Sequence, residues 1–115
     1  MKTLFLAATL AATLLVAPAR AADPELSTDT KRMLAYGTLA VLTGACKVEV
    51  TTEQDSRIKT GLSTAAAAQK DLTEAQFTEA MKAVGTQVGQ NREQVCAALT
   101  PDFIDSSLTD ADEGR

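Results

Sequence analysis

Leu72-Thr73-Glu74-Ala75-Gln76-Phe77-Thr78-Glu79-Ala80-Met81-Lys82-Ala83-Val84 carries the clearest structural signal in this 115-residue chain. Thr73 and Gln76 stand at the spacing of a capping box. There a threonine hydroxyl accepts from the third helical N–H, and the glutamine side chain reaches back to the cap residue. Leu72 is placed to staple onto Phe77. Phe77, Ala80, Met81, Val84 and Val88 then recur at i, i+3, i+4, i+7 and i+11, one apolar face at helical period. The segment predicts an amphipathic helix, and the chain on either side continues in the same manner.

Toward the C-terminus, Gly85 and Gly89 loosen the helix end, and Asn91 with Gln94 is placed to cap a further helix carrying Val95, Cys96, Ala98 and Leu99. The alternative is one long helix over residues 74–99; we expect a break or kink between Gly89 and Asn91. Thr100-Pro101 marks the next boundary, with threonine as cap and proline at the first helical position. Leu99 is placed to staple onto Ile104. A short last helix is expected to about Leu108, followed by a frayed, acidic polar tail over residues 109–115.

Toward the N-terminus, Thr51 or Thr52 starts a helix to about Lys70 with the stripe Ile58, Leu62, Ala65, Ala66 and Ala68. Glu53 with Arg57, and Asp55 with Lys59, are spaced for i,i+4 ion pairs. Lys47 to Val50 alternates too briefly for a strand. Ser27, Thr28 or Asp29 caps an earlier helix that is uncharged from Met33 to Cys46. Leu34, Val41 and Ala45 share one face, and Ala35, Leu39, Leu42 and Cys46 the adjoining one. A helix apolar nearly all round belongs in the centre of a bundle. Gly37, Ala40, Val41 and Gly44 form a small-residue strip suited to close approach, which offsets the ~1 kcal/mol a helical glycine costs against alanine.

The first 21 residues read as an address. Lys2, the apolar run Leu4 to Ala17, Pro18 and the small residues of Ala19-Arg20-Ala21 form a secretory signal peptide, with cleavage expected after Ala21. The run is shorter than the ~20 apolar residues of a membrane span, so no span is expected in the mature chain, residues 22–115. That chain is one small domain, periplasmic or secreted. In an oxidising compartment, Cys46 and Cys96 are most simply a disulfide. The expected fold is all-α: a four- to five-helix bundle stapled by Cys46–Cys96. A minor alternative treats Leu42-Thr43-Gly44-Ala45-Cys46, after Lys31-Arg32, as a lipoprotein signal processed at Cys46. Thr43 replaces the branched aliphatic residue that signal wants, and Cys96 would lose its partner.

Two of the 11 basic residues, Lys2 and Arg20, fall in the leader, leaving the mature chain strongly acidic against 15 Asp and Glu. Such a chain repels phosphate backbones, so no nucleic acid is expected as partner. Histidine is absent, which removes the usual general base and transition-metal ligand. Asp110-Ala111-Asp112-Glu113-Gly114 places glycine one position early for an EF-hand loop. Glu49, Glu53, Asp55, Asp102 and Asp105 sit at helix starts, where the dipole enriches acids. We therefore expect no enzyme, cofactor or metal site. Met33, Phe77 and Met81 suit core packing better than a client groove. Phe103, Ile104 and Leu108 form the candidate binding surface, on a terminal helix that the disulfide does not restrain. The expected role is non-covalent binding of another protein, as an accessory, chaperone-like or inhibitor protein. The alternative is a structural or assembly subunit of a periplasmic or envelope complex.

Overall fold

Hydroxyl caps start four of the helices in the computed structural model, which describes residues 26–114. The expected signal peptide and its cleavage site lie outside the described residues. Helix α1 (Thr28–Ala45) is capped by Ser27, whose hydroxyl accepts from the Thr30 N–H. Helix α2 (Thr52–Ala68) begins with a capping box of Thr51 and Gln54, and α3 (Glu74–Gln90) with the expected box of Thr73 and Gln76. After α4 (Arg92–Ala98), α5 (Pro101–Asp112) opens with proline in its first turn and the Thr100 hydroxyl accepting from the Phe103 N–H. All five helices, and no strand, are found among the described residues.

The break between α3 and α4 falls at Asn91, where φ is −128° and ψ 37°. Asn91 does not cap α4 as its sequence position suggests. Its side-chain amide donates back to the Gln87 carbonyl at 3.2 Å, closing α3 instead. The end of α5 also departs from expectation. The helix continues past Leu108 to Asp112, and Ala111 is fully buried. The acidic stretch from Thr109 is mostly helix, because one small apolar residue among the acids faces the core.

Helix α1 lies at the centre and packs against α2, α3 and α5; α2 also packs against α5, and α4 against α3. The main core joins Tyr36 and Leu39 of α1, Ile58 of α2, and Ile104, Leu108 and Ala111 of α5. Ala35, Ala40, Val48, Val50 and Leu62 pack around it half-buried. Met33, Val84 and Val88 are buried as well, the last two from the apolar face of α3. On α2, Ile58 and Ala65 are buried and Leu62 partly so, but Ala66 and Ala68 face outward. A buried Gln54 completes the inward stripe in their place.

The expected close approach on α1 occurs at Gly37, where an added Cβ would stand 2.7 Å from the Phe77 ring and 2.9 Å from the Met81 sulfur. At Gly44 nothing lies within 4 Å, so that half of the small-residue strip has no packing role. Beyond α1, Cys46 and Cys96 form the disulfide, with Cα atoms 5.4 Å apart. Lys47 turns the chain with φ at 54°, in the left-handed region. The Lys47 N–H donates to the Gly44 carbonyl and the Val48 N–H to that of Thr43, which satisfies the last carbonyls of the helix. Arg92, four residues before Cys96, donates to the Ala45 carbonyl at 2.6 Å and joins the same end of α1 to α4.

Candidate functional site

The three residues of the candidate binding surface separate in the structure. Ile104 and Leu108 are buried at 1% and 0% exposure, while Phe103 is 43% exposed. Successive residues of a helix point about 100° apart, so Phe103 and Ile104 cannot share a face. The surface read from the sequence is therefore one exposed ring beside two core residues. Phe103 is the large hydrophobic residue left outward among the described residues.

The densest polar junction lies at the other end of α5, on residues that the sequence does not bring together. The Tyr36 hydroxyl donates to Asp112 Oδ1. Arg57 Nη2 donates to Asp112 Oδ2 at 2.7 Å. Arg32 donates twice, from Nε and Nη2, to the Asp112 backbone carbonyl at 3.1 and 2.8 Å. One residue thus receives a phenol and two guanidinium groups from α1 and α2. An acid at a helix C-terminus is opposed by the helix dipole, and the two arginines neutralise both the carboxylate and the terminal carbonyl.

The electrostatics follow from this geometry. Burial, and then the Asp112 carboxylate, push the Tyr36 phenol up to about 12. The Tyr36 hydroxyl and then Arg57 hold the Asp112 carboxyl below the ordinary carboxylate range, against an opposing effect of burial. Asp112 in turn raises the Arg57 guanidinium. Arg57 forms this long-range pair in place of the expected one with Glu53, whereas Asp55 and Lys59 do pair at 3.0 Å. The sequence did carry one signal for this junction. Tyr36 is the only tyrosine and sits in the uncharged run from Met33 to Cys46, and a buried phenol requires a polar partner.

A second network was equally hidden. Thr30 is fully buried, and its hydroxyl donates to Asp71 Oδ2 at 2.8 Å, which also accepts from the Ser27 N–H at 2.8 Å. These bonds, the Ser27 backbone one first, lower the Asp71 carboxyl. Gln69 accepts from the N–H groups of Asp71 and Leu72 and so shapes the α2–α3 turn around the start of α1. Both networks join elements that are remote in sequence.

Among the described residues no three acidic or cysteine side chains are grouped to hold a metal ion. Of the acids read as helix-start residues, Asp105 accepts from Gln54 Nε2 at 2.8 Å and Asp55 forms its expected pair with Lys59. A shallow depression of about 430 Å³ is lined by Glu74, Ala75, Thr78, Glu79 and Lys82, all on one exposed helix face. The Cys46 sulfur, bonded to Cys96, is not available to a lipid. No helix of the described residues is long and apolar enough to cross a membrane. Comparison with protein families, curated proteins and solved structures finds no match to this chain.

Proposed function

We propose that this chain is a small exported protein that acts by non-covalent binding to another protein, in an accessory, chaperone-like or inhibitory role and without catalysis. The observation that carries this reading is Phe103, an aromatic ring 43% exposed on a helix whose other large apolar side chains are turned inward. An outward aromatic costs solvation, and aromatic rings are enriched where proteins meet. The signal peptide read in residues 1–21 and the disulfide agree with an oxidising compartment outside the cytoplasm. The chain's surplus of acids favours a basic partner surface.

A photo-crosslinking residue placed at Asp102, beside Phe103, in the exported protein tests this. The expected result is a discrete protein adduct in the periplasmic fraction that Phe103→Ser abolishes while helix content stays unchanged. An adduct that survives Phe103→Ser, or none, overturns the reading. Intact mass on the same material tests export: the expected product is residues 22–115, two hydrogens short and alkylated only after reduction.

A further inference from the structure

We propose that α5 is a latch released by acid: protonation of the Asp112 carboxylate breaks its ion pair with Arg57 of α2 and weakens its bond from Tyr36 of α1, leaving only the Arg32 bonds to the backbone carbonyl. The C-terminal helix then leaves its groove while the disulfide keeps the rest of the bundle closed. The proposal stands on the Asp112 junction and does not depend on the binding reading above.

Helix α5 carries Asp102, Asp105, Asp110 and Asp112, with Glu113 as its C-cap and no basic residue. The cations that hold its end are Arg32 of α1 and Arg57 of α2, and both converge on Asp112. Tyr36 of α1 faces the same carboxylate. Asp29 stands 3.7 Å from Arg32, and Glu53 precedes Arg57 on α2. Once Asp112 is neutral, Arg57 loses its ion-pair partner and the phenol loses a charged acceptor, while Arg32 keeps the Asp112 carbonyl and Asp29. Helix α5 is the element best placed to respond. It is terminal, packs on α1 and α2, and follows Cys96 in the chain, whereas α1 keeps its contacts with α2 and α3 without it. Opening would bare the Tyr36, Leu39 and Ile58 surface that Ile104, Leu108 and Ala111 now cover.

The sign of the effect follows from the two groups. Asp112 titrates lower in the folded protein than in the unfolded chain, so its contribution holds above the unfolded value of about 3.9 and is lost as pH falls through the folded one. Tyr36 is displaced the other way. Its contribution holds below the unfolded value of about 10 and is lost as pH rises towards about 12. The latch is therefore closed across the neutral range and loosens at both ends. Asp71 is a further carboxylate held low, but it contacts Ser27 and Thr30 rather than Asp112, so variants at Asp112 distinguish the two.

Tyr36 is itself the reporter, since the chain holds one tyrosine and no tryptophan. A carboxylate acceptor quenches phenol fluorescence, so release raises the emission. The experiment follows Tyr36 emission of the oxidised protein from pH 7 to pH 2, with amide protection factors measured in parallel. In the wild type the emission is expected to rise below about pH 4, with protection at Ile104, Leu108 and Ala111 falling at least tenfold more than at Val84 and Val88. Asp112→Asn is expected to show the raised emission and lowered α5 protection already at pH 7, with the acid step gone. Arg57→Gln should move the acid step to higher pH and provides a second route should the asparagine variant not fold. Loss of protection in α3 and α5 together overturns the latch, as does an acid step unchanged in the variants.

Discussion

Two glycines of opposite consequence show how single atoms set this fold. Gly61 lies under the Tyr36 ring, and a Cβ there would stand 2.6 Å from both Cε atoms. The ring cannot swing aside, because its hydroxyl is held by Asp112. Gly61→Ala is therefore expected to lower stability by ~1–2 kcal/mol net of the helix-propensity gain, measured by urea unfolding. Gly44, with open space around it, should behave oppositely: Gly44→Ala is expected to add ~0.5–1 kcal/mol. Lys47 makes the same point for the backbone. Its φ of 54° is a conformation that glycine adopts without steric cost, so Lys47→Gly should raise stability by up to ~1 kcal/mol in the same assay.

At the scale of the element, α5 carries the largest share of what was unexpected. Its start was legible: Thr100 and Pro101 announce it, and Thr100→Ala should cost ~1 kcal/mol of stability by the same urea assay. Its end was not. Asp110, Asp112 and Glu113 read as a solvated tail because a charge pattern records composition, while Ala111 faces the core through the turn of the helix. Leu108→Ala is expected to cost ~2–5 kcal/mol, and Phe103→Ala less than ~0.5 kcal/mol, on thermal or urea unfolding. The contrast checks that Leu108 belongs to the core and that Phe103 is free of it. Helix α2 teaches a similar lesson. Its alanines at 65, 66 and 68 look alike in sequence, but only Ala65 points inward, and the polar Gln54 completes the stripe by bonding to Asp105.

Across the whole molecule, the disulfide joins residues 50 apart and ties the end of α1 to α4. Closing a loop of that length removes unfolded-state entropy worth ~4 kcal/mol in the chain-entropy model, a large part of what a small domain retains. Reduction is expected to lower unfolding stability by about that amount, measured by urea unfolding with and without reductant. Helical class, the threonine caps at 73 and 100, the inward face of α3, the central place of α1 and the cysteine pair were legible in the chain, because each depends on neighbours within a few residues or on the only available partner. The cap expected of Asn91, by contrast, does not form, because its amide turns back to the Gln87 carbonyl. The Tyr36–Asp112–Arg57 junction, the burial of Thr30 by Asp71 and the exposure of Phe103 beside Ile104 were not legible. Each joins groups 40 or more residues apart or depends on which face a neighbouring helix covers. Local periodicity records that a face is apolar, but the crossing of α1, α2 and α5 selects which polar groups meet at its rim.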